Sequence, residues 1–280
     1  AISACLVGSE MCIRDSLASF RVGSIAALIN TTVSGEGLKH VIGISDVKLI
    51  TAGASHLEKL SSALGDSDLK NIPIFGMEDN EKIPDQVEDI KKLSKQFSTF
   101  IPYQPIMKDV AAYIFTSGTT GLPKAALVDH AKLVKGSFAG HFLCFNFNKN
   151  DRLYMTLPLY HSTGLILGWA ASLRSGCPNV IKSKFSASDF WNDVKKYNVN
   201  KFIYVGELCR YLMNLPPSDG DRDNPITQIS GNGLRPDIWE SFQERFNINK
   251  IVEIYGATEA VGMTINSFGR SGMIGRKRSD

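Results

Sequence analysis

Short β-branched or aromatic runs recur at 24–30 (SIAALIN), 47–51 (VKLIT), 72–75 (IPIF), 111–116 (AAYIFT), 124–128 (KAALV), 179–182 (NVIK), 201–205 (KFIYV) and 250–255 (KIVEIY). Their length and residue types predict strands. Segments of helical period lie between them. Residues 236–246, PDIWESFQERF, open with Pro and Asp, as a first helical turn prefers, and place Trp239, Phe242 and Phe246 on one face, which predicts a helix with a buried aromatic stripe. Residues 84–97, PDQVEDIKKLSKQF, put Asp85, Glu88 and Asp89 ahead of Lys91, Lys92 and Lys95, an order that suits a helix dipole and predicts a solvated helix. Strands alternating with helices predict an α/β fold of mostly parallel sheets flanked by helices. The charged, proline-punctuated stretch 77–110 suggests a first lobe over 17–110, linker included, and a second over 111–280.

The longest uncharged stretch is 153–173, LYMTLPLYHSTGLILGWAASL. Its length matches a membrane span of about 20 residues. Pro158, Tyr160, His161, Ser162 and Thr163 interrupt its middle, so it is expected to split into a short strand, a polar turn and a buried helix. Loose attachment to a membrane surface is left open by this pattern. Residues 1–16, AISACLVGSEMCIRDS, lack the basic start and unbroken apolar stretch of a signal peptide and resemble translated read-through of a sequencing adaptor. They are expected to lie outside the native fold, and the chain is read as a fragment.

Composition narrows the function classes. The 280 residues suggest two domains at roughly 150 residues each, or one large one. Hydrophobic residues make up 43% and charged residues 21%, and the mean hydropathy is −0.06, values of a globular chain with a sizeable core. The net charge of +3 is interleaved along the sequence, without the concentrated basic face of a nucleic-acid binder. The five cysteines are scattered without a CxxC pair, as in a reducing compartment. His141 and Cys144 have HxxC spacing but no partner pair, too little for a metal site.

The strongest chemical signal is 113–124, YIFTSGTTGLPK. A strand runs into a loop of hydroxyls and glycines that ends on Lys124. Glycines let backbone N–H groups turn toward an anion, hydroxyls add donors, and the lysine supplies charge. The spacing fits neither GxxxxGK[ST], nor GxGxxG, nor GxSxG. Two further strings follow in order, LPLYHSTG (157–164) and IYGATEAVG (254–262).

Together these strings resemble the adenylate-forming superfamily, which includes acyl-CoA synthetases, luciferases and peptide-synthetase adenylation domains. YIFTSGTTGLPKAA resembles its phosphate loop, LPLYHSTG its acyl-pocket motif, and IYGATEAVG its adenine and magnesium motif. The segments 184–223 and 229–246, with VGELCRYLMN and GNGLRPDIW, resemble the fatty acid transport protein/very-long-chain acyl-CoA synthetase branch. The resemblance implies a partial large N-terminal domain, with the hinge, the ribose-binding Asp and the small C-terminal domain missing.

It also implies a two-step ligase reaction. A fatty carboxylate attacks the α-phosphate of ATP to give acyl-adenylate and pyrophosphate, and the thiol of CoA then displaces AMP. Tyr113, Ile114, Phe115, Thr116, Ser117, Gly118, Thr119, Thr120, Gly121, Leu122, Pro123 and Lys124 would form the phosphate loop, and Lys124 would neutralise the leaving pyrophosphate. Gly231, Asn232 and Gly233 would approach the adenine edge, Tyr255 and Gly256 would line the base, and Thr258 would donate to the α-phosphate. Glu259 would hold Mg²⁺, and His161 would line the junction of the acyl and nucleotide pockets. Catalytic roles are expected for Lys124, Thr258, Glu259 and His161. The remaining histidines are read as structural.

Fatty acid and nucleotide substrates, ATP, Mg²⁺ and CoA are the expected small partners, with peripheral membrane association and no nucleic acid. The family setting is intracellular and membrane-associated, at the endoplasmic reticulum, peroxisome or plasma membrane, and not secreted. The alternatives are a non-catalytic fatty acid binding or transport protein of the same fold, and another acyl or aryl acid-activating ligase. Lys124 and Glu259 favour the enzyme, since a binding module has no need of a pyrophosphate cradle.

Overall fold

The computed structural model describes residues 2–6, 9–65, 67–77, 81–96, 99–116, 121–182, 184–259 and 262–275, with the side chains of 5, 6 and 9–11 set aside. The chain forms two units, Ala1–Ala131 and Lys132–Asp280.

The first unit contains β1 (Ile2–Leu6), α1 (Ser9–Arg21), β2 (Ile25–Leu28), α2 (Gly35–Ile44), β3 (Leu49–Gly53), α3 (Ala54–Leu64), β4 (Ile74–Met77), β5 (Glu88–Asp89), α4 (Ile90–Ser94), β6 (Val110–Thr116) and β7 (Lys124–Asp129). Among the described residues these strands make a seven-stranded sheet in the order β5-β4-β3-β1-β2-β6-β7. All neighbours pair in parallel except β6 and β7, which form an antiparallel hairpin at one edge. Leu38, Val41 and Ile42 of α2 and Leu57, Leu60 and Leu64 of α3 bury their apolar faces with Ile50 and Ala52 of β3 in one core. This burial on one stripe per helix is what the apolar periodicity provides.

Residues 2–6, read in the sequence as part of a non-native segment, form β1, which lies between β2 and β3 with Ala4 fully buried. The boundary between units falls after Ala131 and not at 110, because β6 pairs with β2 through Ala26↔Ala112 and Leu28↔Ile114. The helix expected over 84–97 shrinks to α4. Glu88 pairs with Phe75 on the sheet edge, Val87 packs against the core, and the Asp89 carboxylate accepts from the Lys91 N–H at 2.8 Å as the helix cap. Sheet pairing and a local cap outcompete the charge pattern. Phe97 lies outside the described residues.

The second unit contains α5 (His130–Phe138) from Lys132 onward, β8 (Leu153–Met155), α6 (Ala171–Ser175), β9 (Asn179–Ile181), α7 (Ala187–Lys196), β10 (Lys201–Val205), α8 (Gly206–Met213), β11 (Gln228–Asn232), α9 (Pro236–Arg245), β12 (Lys250–Gly256) and β13 (Met263–Asn266). Two helical segments with wide π-type turns, Ala139–Phe145 and Thr163–Ala170, precede β8 and α6. Among the described residues the sheet has six strands in the order β13-β12-β11-β10-β8-β9, parallel except for the edge pair β12–β13. The chain moves outward one way from β8 to β9 and the other way from β10 to β12, so the strand order reverses between β8 and β10.

Trp239, Phe242 and Phe246 are buried on one face, as the stripe in 236–246 predicts. The stretch 153–173 divides as expected into β8, a polar turn and a helical segment whose Leu165, Ile166, Leu167 and Trp169 are buried in the unit. Among the described residues no helix is long and apolar enough to cross a membrane.

Candidate functional site

In each unit a motif borders the closing strand pair of an antiparallel hairpin. In the first unit β6 and β7 form a hairpin in which Thr116 and Lys124 are the last registered pair before residues 117–123. Tyr113, Phe115 and Thr116 are half-buried, Ile114 is buried, and Gly121, Leu122 and Lys124 are exposed. Ser117, Gly118, Thr119 and Thr120, the centre of the expected phosphate loop, lie outside the described residues. The loop's exit is anchored by His40 of α2, whose Nε2 hydrogen-bonds the Pro123 carbonyl at 3.0 Å. The sequence reading treated His40 as structural; nothing in its local string marks the contact, which spans 83 residues of chain.

In the second unit the second hairpin joins β12 and β13 and is closed by the pair Gly256↔Met263. Parallel sheets bind ligands outside the carboxyl ends of their strands, near a reversal of strand order. Three motifs of this unit meet there. Gly231 and Asn232 end β11, Tyr255 and Gly256 end β12, and the His161–Thr163 turn follows β8.

Tyr255 is 62% exposed, so its ring has a free face and is no core strand residue. Gly256 and Glu259 are exposed, and Thr258 is half-buried. The Thr258 hydroxyl lies 3.0 Å from the Ser162 Oγ, and the Lys132 ammonium donates to the Thr258 carbonyl. Thr163 makes a long 3.5 Å contact from its hydroxyl to the Asn232 side-chain oxygen. If Ser162 donates, the Thr258 O–H is left to donate elsewhere, because a hydroxyl carries one proton and two lone pairs. Ser162 and Lys132 were not singled out in the sequence, although Ser162 sits inside LPLYHSTG.

His161 is exposed, and its backbone N–H closes a turn on the Pro158 carbonyl at 3.1 Å. Desolvation lowers its imidazole pKa from the ordinary 6.5, so it is neutral at pH 7. Gly231 is buried, and a Cβ there would sit 2.0 Å from the Tyr204 carbonyl oxygen. The neighbouring strand therefore already occupies the space a side chain at Gly231 would need. Gly233 is exposed with φ +84°, a left-handed turn that favours glycine, and opens the backbone there.

Within the second unit the Ser162 and Thr258 hydroxyls are suited to an anionic group and the exposed Tyr255 ring to a flat base. Among the described residues no cluster of three or more His, Cys, Asp or Glu could cage a metal by itself.

The sequence profile of the AMP-binding enzymes matches residues 16–279. The chain belongs to the AMP-binding enzyme family. Among its relatives are long-chain fatty acid transport protein 6 of Mus musculus, 38% identical over 261 residues, covering 91% of this chain and 41% of that protein. Long-chain fatty acid transport protein 3 of Mus musculus is 49% identical over 168 residues, covering 60% of this chain and 25% of that protein. The resemblance to this branch read in the sequence is borne out at the level of family, and the chain spans about two-fifths of the length of the first of these relatives. The crystal structure of ATP-bound MatB from Rhodopseudomonas palustris superposes with a TM-score of 0.82 at 20% identity, over 98% of this chain and 54% of that one. The AMP-binding chain therefore has the α/β fold of the large N-terminal domain, in part.

Proposed function

We propose that this chain is the nucleotide- and acyl-handling part of a fatty acid–CoA ligase. The protein would activate a long or very long fatty carboxylate with ATP, forming acyl-adenylate and pyrophosphate, and pass the acyl group to the thiol of CoA. The observation that carries the reading is the meeting of three motifs in the second unit, through Ser162–Thr258 and Thr163–Asn232, at the carboxyl ends of parallel strands. The relatives named as long-chain fatty acid transport proteins support the choice of fatty acid.

In this reading the reaction is positional and electrostatic, with little covalent work for the protein. The phosphate loop 113–124 cradles the β- and γ-phosphates, and Lys124 offsets charge on the departing pyrophosphate. Tyr255 stacks on adenine, with Gly256 beside it. The 231–233 turn meets the edge of the base. Thr258, its orientation fixed by Ser162, donates to the α-phosphate. The exposed Glu259 would hold the Mg²⁺ that accompanies ATP, a hard cation that would offset phosphate charge. His161, uncharged at pH 7, borders the carboxylate's approach without repelling or trapping it. Uptake of fatty acid would follow from its capture as a thioester, at an intracellular membrane surface to which the protein binds peripherally.

The test is equilibrium titration of the purified chain with Mg·ATP, beside Lys124→Ala and Glu259→Ala, with circular dichroism as the control for folding. Saturable binding that weakens in both variants supports the reading. A folded chain whose affinity is the same in all three contradicts it. Thioester formation from labelled palmitate, ATP and CoA by a protein of the relatives' full length then separates ligase from lipid carrier.

A further inference from the structure

The strand KIVEIY buries a carboxylate, and that burial needs a reason. Glu253 is 3% exposed in the middle of β12. Taking a carboxylate out of water is costly unless its oxygens are satisfied. Its Oε2 accepts from the Tyr204 hydroxyl at 2.5 Å. Its Oε1 accepts from the backbone N–H of Gly233 and from that of Leu234, the latter at 3.3 Å.

The register explains how these groups meet. Tyr204, Gly231 and Glu253 stand side by side on β10, β11 and β12, paired Tyr204↔Gly231 and Gly231↔Glu253. A Cβ at Gly231 would lie 2.8 Å from the Tyr204 ring. The missing side chain leaves the corridor through which the phenol crosses the central strand to reach the carboxylate. A Cβ at Gly206 would in turn collide with the Gly233 carbonyl oxygen at 1.7 Å, so the same turn is packed against the start of α8. Glu253 spends its second oxygen on two successive N–H groups of the turn that leads from β11 to α9.

We propose that the row Tyr204–Gly231–Glu253 sets the shape of the 232–234 turn that receives the adenine, with Glu253 as its positioning residue. The proposal rests on the reading above, in which that turn meets the base of ATP. It reassigns Gly231: its smallness serves the buried pair, while Asn232 and Gly233 offer backbone to the ligand.

The experiment compares Glu253→Ala, Glu253→Gln and Tyr204→Phe in the intact chain, using amide exchange over 228–236 and affinities for Mg·ATP and for Mg·tripolyphosphate, which has no base. Glu253→Ala is expected to speed exchange at Gly233 and Leu234 about tenfold and to weaken ATP about tenfold, leaving tripolyphosphate unchanged, the scale of a lost charge-assisted hydrogen bond. Glu253→Gln keeps an acceptor for the turn and a donor for Tyr204, and is expected to restore both within about threefold. Tyr204→Phe, which removes one oxygen only, shifts both in the same direction by less and covers the case in which Glu253→Ala fails to fold. Unchanged exchange in Glu253→Ala, or equal weakening of ATP and tripolyphosphate, overturns the proposal. A parent chain that binds no ATP overturns the adenine assignment and the reading beneath it, while the exchange data still decide whether Glu253 holds the turn.

Discussion

The hydroxyls of Ser162 and Thr258 lie 3.0 Å apart, joining the turn after β8 to the tip of the β12–β13 hairpin across 96 residues of sequence. With Ser162 as the donor, this contact leaves the Thr258 hydroxyl to donate elsewhere. In Ser162→Ala the Thr258 hydroxyl loses its partner and can rotate. The expected result is a fall in the rate of acyl-adenylate formation of about 3- to 10-fold, the worth of one neutral hydrogen bond. Pyrophosphate exchange in the full-length protein measures it, and an unchanged rate would remove Ser162 from the site.

Lys124 and His40 stand at the exit of the proposed phosphate loop and act by different means. Lys124 is exposed at the start of β7, while His40 binds the Pro123 carbonyl. Lys124→Ala is expected to lower turnover by about 10²-fold, as for other residues that stabilise transition-state charge. His40→Ala, which frees the Pro123 carbonyl and leaves Lys124 in place, should weaken Mg·tripolyphosphate by a few fold at most. Steady-state kinetics and titration distinguish them.

Asp193 provides an acid limit to stability. Burial pushes its pKa up, but hydrogen bonds from Lys182 and Tyr154 outweigh this and hold it below the ordinary 3.8. The Lys182 ammonium is at 2.9 Å and the Tyr154 hydroxyl at 2.7 Å. A carboxylate with a lowered folded-state pKa stabilises fully above its unfolded value, and that stabilisation disappears as pH falls through the folded value. Asp193→Asn should therefore lower the unfolding midpoint at pH 7, and the gap to the parent should close below about pH 4. Urea melts across that range would reveal a constant gap if the pairing is unimportant.

Trp239 tests the aromatic core of the second unit. It is 1% exposed, on the same helix face as the fully buried Phe246, which stacks on Trp191 with ring centroids 4.5 Å apart. Trp239→Ala should destabilise this unit by about 3–5 kcal/mol through lost burial and the cavity left behind. Denaturant unfolding followed by near-ultraviolet circular dichroism reports it.

The local pattern was enough for much of the fold. Residues 201–205 and 250–255 read as strands and are strands, because apolar β-branched and aromatic side chains suit a sheet buried on both faces. The stripe through Trp239 read as a buried helix face for the same reason: periodicity is a property of near neighbours. QISGN at 228–232 gave no such signal. Its glycine, serine and asparagine disfavour strands locally, yet β10 and β12 offer it hydrogen bonds on both sides.

The site divides along the same line. YGATE, LPLYHSTG and the glycine loop were legible as strings, since each motif is contiguous. That Thr258 faces Ser162, that His40 holds Pro123, and that Glu253 reaches Tyr204 over Gly231 were not, for these partners lie 49 to 96 residues apart. Sequence by itself determined the strands at 201–205 and 250–255 and the helix at 236–245, and it marked the strings that resemble phosphate and adenine motifs. Only the tertiary structure decided which side chains met, because strand order and register, which no local propensity encodes, set those distances.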